Sequence, residues 1–125
     1  MLGLWVAFVK IVMMYWGGLS VNRYKIGKTK CTDPKVKKWM SILAQVIKGY
    51  SSELQPPITI KLSGRFRDER YPDLSNLHKV IGDAVQMGLG INDKFYRFVD
   101  GEVTTGCLNP EIEIEVVGVE KILSK

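Results

Sequence analysis

Asp73, Asn76, Lys79 and Asp83 stand three, three and four residues apart, a spacing that a helix turns into one strip. At about 100° per residue the four fall within about 120° of arc, beside an apolar stripe of Leu74, Leu77, Ile81, Ala84 and Gly88. An ammonium, an amide and two carboxylates placed together can hold an anionic group and balance its charge. Each residue also has a plainer role. Asp73 suits a helix N-cap, Asn76 the first turn of that helix, Lys79 solvent, and Asp83 the i, i+4 partner that orients Lys79. Asp93 follows the pair Gly88 and Gly90 and reads equally as a turn residue. His78, the single histidine, lies well round the helix from the strip and reads as a surface residue.

Cations flank this stretch. Arg23, Lys25, Lys28, Lys30, Lys35, Lys37 and Lys38 precede it at a distance, and Arg65, Arg67 and Arg70 lead directly into it. Such a set can follow nucleic-acid arms by phosphate contact, with Tyr24 available to stack or wedge at a branch point. The plain alternative is a solvated, soluble surface. Residues 1–50 carry nine Lys or Arg against the single acid Asp33, whereas residues 51–125 carry nine against twelve acids. A basic half beside an acidic half suits a polyanion-binding surface next to a carboxylate cluster.

The elements that must position these residues follow from pattern. Val6 to Tyr15 is rich in β-branched and aromatic residues without clean alternation, which predicts a strand buried on both faces. The segment from Ser20 to Cys31 reads as an exposed basic loop. Thr32, Asp33 and Pro34 form a helix start. The helix is expected to run to about Lys48 on a stripe of Val36, Met40, Leu43, Val46 and Ile47, with Gly49 as its C-terminal cap. After Pro56-Pro57, Ile58, Ile60, Leu62 and Phe66 alternate with polar residues in a half-buried strand. A second helix is predicted from Asp73 to about Met87, ended by Gly88 and Gly90. FYRFVDGEV and EIEIEVV then read as a two-stranded hairpin. The fold class is α+β, in the order strand, helix, strand, helix, strand, strand: one domain over 1–125 with two helices on a mixed sheet.

Composition agrees with a soluble globular chain: 125 residues, 46% hydrophobic, 25% charged and a formal charge of +5. Cys31 and Cys107 lack a CxxC or Cys/His partner set, so a zinc site and a disulfide framework are not indicated; both read as free thiols in a reducing cytosol. The apolar stretch near the N-terminus is interrupted by Lys10 and reads as a strand, neither a spanning helix nor a secretory signal.

PDLSNLHKVIGDAV followed by GLGIND resembles the Asp-x-Asp-Asn-Leu-x-Lys…Asp-Ala…Asp-Asp pattern of the RusA family of Holliday-junction resolvases. Asp73, Asn76, Leu77, Lys79, Asp83 and Asp93 fit it. SVNRYK at Ser20 to Lys25 is similar to the Asn-Arg-Tyr loop after that family's first strand. The resemblance implies a mixed-sheet fold and a small homodimeric, Mg²⁺-dependent endodeoxyribonuclease of bacterial, phage or prophage type that cuts branched DNA. It places the acids of two subunits facing the junction. It carries metal binding onto Asp73 and Asp93 and catalysis onto those two acids and Lys79; by their own chemistry Ser75, Asn76 and Asp83 are expected in supporting roles. For Asp83, orienting Lys79 is preferred over binding metal. Ser75 stands where the family has its second acid, and Asn92 where many members have the first of two.

Carboxylate-bound Mg²⁺ can activate water and neutralise charge on phosphate oxygens. Mg²⁺ accepts one or two protein carboxylates and keeps several waters, so Asp73 and Asp93 are expected to suffice for one ion, with Mn²⁺ as a substitute. Two acids in place of three imply looser metal binding, unless Asp83, Asp100 or Glu102 compensates. The alternative is a catalytically weakened junction-DNA binding protein of the same fold.

Overall fold

A computed structural model describes residues 6–19, 25–26, 31–50 and 54–120. Strand β1 (Val6–Met14) is followed by the short pair β2 (Lys25–Ile26) and β3 (Cys31–Thr32), helix α1 (Pro34–Tyr50) and strand β4 (Leu54–Arg65). Helix α2 (His78–Leu89), strand β5 (Tyr96–Thr104) and strand β6 (Glu111–Glu120) complete the chain. The α+β class, with two helices on a mixed sheet, is the one expected from sequence. Among the described residues no helix is long and apolar enough to cross a membrane.

The four-stranded sheet has the order β1-β6-β4-β5. β6 runs antiparallel to both β1 and β4, and β5 runs parallel to β4. The expected hairpin of the last two strands is therefore not formed. β4, α2 and β5 make a parallel crossover unit, which leaves the other side of β4 for β6. The link between β5 and β6 is laced across the end of β4: the Gly106 N–H donates to the Arg67 carbonyl at 3.0 Å and the Cys107 N–H to that of Phe66 at 2.9 Å. Gly106 takes a φ of 84° to do so, a conformation that suits glycine. Cys107 is a free thiol.

Both helices cover one face of the sheet. Ile58, Ile60 and Leu62 of β4 and Ile112, Ile114 and Val116 of β6 are fully buried against them. β1 is an edge strand with one bare face, so it is not buried on both sides as expected: Val9, Ile11 and Met13 point into the core while Val12 and Met14 stand 50% and 58% exposed. The alternation was masked in sequence because Val12 and Met14, exposed beside Lys10, are also apolar. On the same bare face the glutamates of EIEIEVV meet cations from the neighbouring strands. Arg65 lies 3.0 Å from Glu111 and 3.6 Å from Glu113, and Lys10 lies 3.8 Å from Glu113.

Helix α1 starts as read. Pro34 opens it and the Asp33 side chain accepts from the Lys35 N–H at 2.9 Å. It continues to Tyr50, so Gly49 lies within its last turn and does not cap it. The second helix begins as a 3₁₀ turn, Leu74–Leu77, before becoming α at His78. Gly88 is inside α2, and only Gly90, with φ of 73°, is the left-handed cap. Gly88 serves packing instead: a Cβ there would lie 2.7 Å from the Ala44 carbonyl oxygen of α1.

Candidate functional site

The crossover β4–α2–β5 decides where the site residues lie. The end of β4, the 66–72 loop and Asp73 are at one end of the unit; the end of α2, Asp93 and the start of β5 are at the other. The twelve residues of α2 rise about 18 Å, and the four of the preceding 3₁₀ turn add about 8 Å. The strands give a second ruler. Tyr96 pairs with Ile58 and Thr104 with Arg65, so the stretch of β4 between those rungs spans about 23 Å.

Asp73 and Asp93 are consequently far apart within one chain, and no single ion, with ligands at about 2.1 Å, can touch both. This corrects the expectation that one chain brings them to one Mg²⁺. The spacing of twenty residues conceals it, because a helix turns most of that length into axial distance. Among the described residues no three of Asp, Glu, His and Cys form a group able to hold a metal.

The chemistry of the two acids is nonetheless unspent. Asp73 occupies the N-cap position of the 3₁₀ turn, yet its side chain makes no capping hydrogen bond; only its carbonyl is used, accepting from the Asn76 N–H at 2.9 Å. The capping role expected of its carboxylate is absent. At the other end the Asn92 side chain caps Asp93–Phe95 by accepting from the Lys94 N–H at 2.9 Å. Asp93 is anchored through its backbone, its N–H donating to Gln86 Oε1 at 3.1 Å. Its negative charge acts on Tyr96, whose phenol is pushed up to about 12, first by burial and then by Asp93. That phenol donates to the Ile91 carbonyl at 2.6 Å. Both carboxylates are on exposed residues, and both are oxygen donors of the kind that Mg²⁺ takes. They suit the ion in kind, but not in position within one copy.

Lys79 and Asp83 do meet. The ammonium donates to Asp83 Oδ1 at 3.4 Å, one helical turn on, with side chains 53% and 26% exposed. Asp83 also borders a groove with Met40, Gln86 and Met87. Asn76 is half-buried and Ser75 exposed. Within the strip read from sequence, Lys79 and Asp83 meet through their side chains, whereas Asp73 and Asn76 meet through the backbone.

His78 is not the surface residue expected. Its ring stacks on Phe98 with centroids 4.1 Å apart and planes 13° from parallel. Its Nε2 is buried without a hydrogen bond, 3.5 Å from Asp100 Oδ1. Phe98 and Asp100, two apart on β5, were the available signal, hidden while β5 was paired with the wrong strand.

The cations divide. Lys35, Lys37 and Lys38 are exposed on the first turns of α1, which holds no acid in its first turn, and Lys35 Nζ lies 4.6 Å from the centroid of the Trp16 ring. Arg65 is in an ion pair with Glu111 on the bare face, at 3.0 Å. Arg70 is held by Asp68 at 2.9 Å, and the Arg70 side chain in turn keeps the Asp68 carboxyl down at about 2. Arg67 donates to the Leu108 carbonyl at 3.4 Å. Arg23, Tyr24, Lys28 and Lys30 lie outside the described residues, and Lys25 is described only as backbone of β2. Lys94 and Arg97, beside Asp93, were missed by sequence reasoning, because they fall in the half of the chain richer in acids.

No family model matches the chain, and no curated protein matches it. Among solved structures it is similar to a chain in the crystal structure of a HypE–HypF complex, with a TM-score of 0.49 and 13% identity. That match covers 94% of this chain and 34% of the other, so this chain spans about a third of its length. A likeness of this size bears on neither family nor activity.

Proposed function

We propose that this chain is an Mg²⁺-dependent, structure-selective endodeoxyribonuclease that resolves Holliday junctions or other branched DNA in recombination and repair, acting as a two-fold dimer. The observation that carries the reading is that Asp73 and Asp93, the two acids of the motif, are exposed and make no side-chain hydrogen bond or ion pair among the described residues. Exposed carboxylates that make no such contact among the described residues keep their oxygens available to a divalent cation.

The separation of the two acids supplies the reason for a dimer. A two-fold axis that sets α2 beside its copy in antiparallel sense brings Asp73 of one copy towards Asp93 of the other, and makes two such places. Asp73 and the second copy's Asp93 would hold Mg²⁺, or Mn²⁺ in its stead, which when bound supplies an activated water and neutralises phosphate oxygens. Lys79, steadied by Asp83, offers its ammonium to the phosphate. Lys35, Lys37, Lys38 and Arg67 hold the arms by their phosphates. Four-way junctions need paired cuts, which two identical sites provide.

The test is cleavage of labelled four-way junctions and linear duplexes with Mg²⁺, by the native chain and by Asp73→Asn and Asp93→Asn. The expected result is junction cutting that each change abolishes. Cutting that survives both changes would remove the site from consideration. A second reading, junction binding with weakened or no cutting, is favoured by Ser75, an exposed neutral residue in the second acid position. Tight binding without cleavage in either Mg²⁺ or Mn²⁺ selects it, and gain of cleavage in Ser75→Asp would trace the weakness to that position.

A further inference from the structure

The segment after α2 carries Lys94 and Arg97 on either side of Phe95 and Tyr96. Together with Pro57 and Thr59 of β4 these residues line a groove of about 380 Å³. Arg97 lies directly across from Thr59 in the β4–β5 register, which sets a guanidinium and a hydroxyl side by side on the bare face of the sheet. Lys94 Nζ lies 5.1 Å from the centroid of the Phe95 ring, close enough for the ring face to hold the ammonium in place. Phe95 is itself 45% exposed.

The two cations of this groove, Lys94 and Arg97, are both exposed and form no ion pair among the described residues. None of the six lining residues is acidic. The groove formed by Arg67 and Arg70 differs: Asp68 lines it and takes up Arg70. A guanidinium, an ammonium resting on an aromatic ring and a hydroxyl in one concavity suit a phosphodiester backbone.

We infer that this groove binds the sugar–phosphate backbone of a DNA strand, with Lys94 and Arg97 each meeting a phosphate. The site rests on the nuclease reading above and extends it. Asp93 immediately precedes Lys94, so the strand held here is the one that runs past the acid assigned to the metal. It also enlarges the contact surface beyond the lysines of the first half of the chain, onto a face of the sheet that neither α1 nor α2 covers.

Junction binding is measured without divalent cation, so that no cutting intervenes, over a series of salt concentrations. The native chain is compared with Lys94→Ala/Arg97→Ala, with the charge-keeping exchange Lys94→Arg/Arg97→Lys, and with Lys48→Ala on the last turn of α1 as a control. Each lost phosphate contact lowers the salt slope by about 0.9. The double alanine variant is expected to bind at least about tenfold more weakly at moderate salt. Its slope should be shallower by about 2 if one copy is engaged and about 4 if both are. The exchange variant and the Lys48 variant should keep the native slope. Native binding with an unchanged slope in the double alanine variant overturns the groove alone and leaves the nuclease reading standing. A native chain with no affinity for junctions overturns both.

Discussion

The Asp93 N–H donates to Gln86 Oε1 at 3.1 Å, which ties Asp93 to the last turns of α2 and so to the end of the helix remote from Asp73. A metal shared by these two acids must then come from two copies. The arrangement makes a prediction that a site within one chain does not. Asp73→Asn and Asp93→Asn should each be inactive, yet an equimolar mixture allowed to exchange subunits should cut. In a mixed dimer both changes fall in one site and the other is intact. About half the dimers are mixed and each has one good site, so about a quarter of the native sites return, and the product is nicked rather than resolved DNA. A mixture as inactive as its components sinks the shared site.

Lys79 and Asp83 give a second expectation. Their 3.4 Å contact restrains a long side chain that would otherwise sample many rotamers. Lys79→Ala should lower the cleavage rate by about 10²–10³, the scale for losing a charge that stabilises the transition state. Asp83→Asn should cost less, about tenfold, since it removes the restraint and not the ammonium. It should leave junction affinity near native. Lys79→Arg is expected to restore little, because a planar fork does not replace a point charge. Equal losses for Asp83→Asn and Lys79→Ala in single-turnover rates would instead place Asp83 among the groups touching the reaction.

Much of the fold was legible because burial and periodicity agree: the stripe from Val36 to Ile47, with Val46 half-buried at its margin, and the alternation from Ile58 to Phe66 face the core as read. Strand partners were not. Ile112, Ile114 and Val116 mark β6 as a strand with one buried face, but the pattern is the same at the edge of a sheet or at its centre, and proximity in sequence favoured the hairpin. The same gap blurred the site. Helical phase put Asp73, Asn76, Lys79 and Asp83 on one strip, and phase carries no axial distance. Knowing that β5 runs parallel to β4 is what separates Asp73 from Asp93, brings His78 to Phe98 and Asp100, and gathers Lys94 and Arg97 around Thr59.

The Tyr96 phenol provides a pH test of the Asp93 surroundings. Its folded value, about 12, lies above the ordinary 10.0, so the neutral form is favoured by folding. Its contribution to stability is therefore complete below about pH 10 and is lost as pH rises towards 12. Tyr96→Phe should cost about 1 kcal/mol at neutral pH, by leaving the Ile91 carbonyl without its donor. The gap from the native protein should close across that alkaline window. Asp93→Asn removes the second cause of the shift and should move the Tyr96 tyrosinate transition downward, read as the absorbance difference from Tyr96→Phe. An unmoved transition would mean that the Asp93 carboxylate does not act on this ring.

Two glycines separate packing from propensity. Gly88 lies where α2 crosses α1, and an added methyl would meet the Ala44 carbonyl at 2.7 Å and Ile47 Cβ at 3.1 Å. Backbone cannot yield as a flexible side chain does, so Gly88→Ala should destabilise by about 1–3 kcal/mol despite alanine's better helix propensity. Gly49, in the last turn of α1, has nothing within 4 Å of the same methyl. There Gly→Ala should stabilise by about 0.5–1 kcal/mol through the lower entropy of the unfolded chain. Denaturant midpoints with unchanged slopes would measure both. If Gly88→Ala proved neutral, α1 and α2 would not approach as closely as this packing requires, and the frame that sets Asp73 and Asp93 at opposite ends of the molecule would lose one of its fixed points.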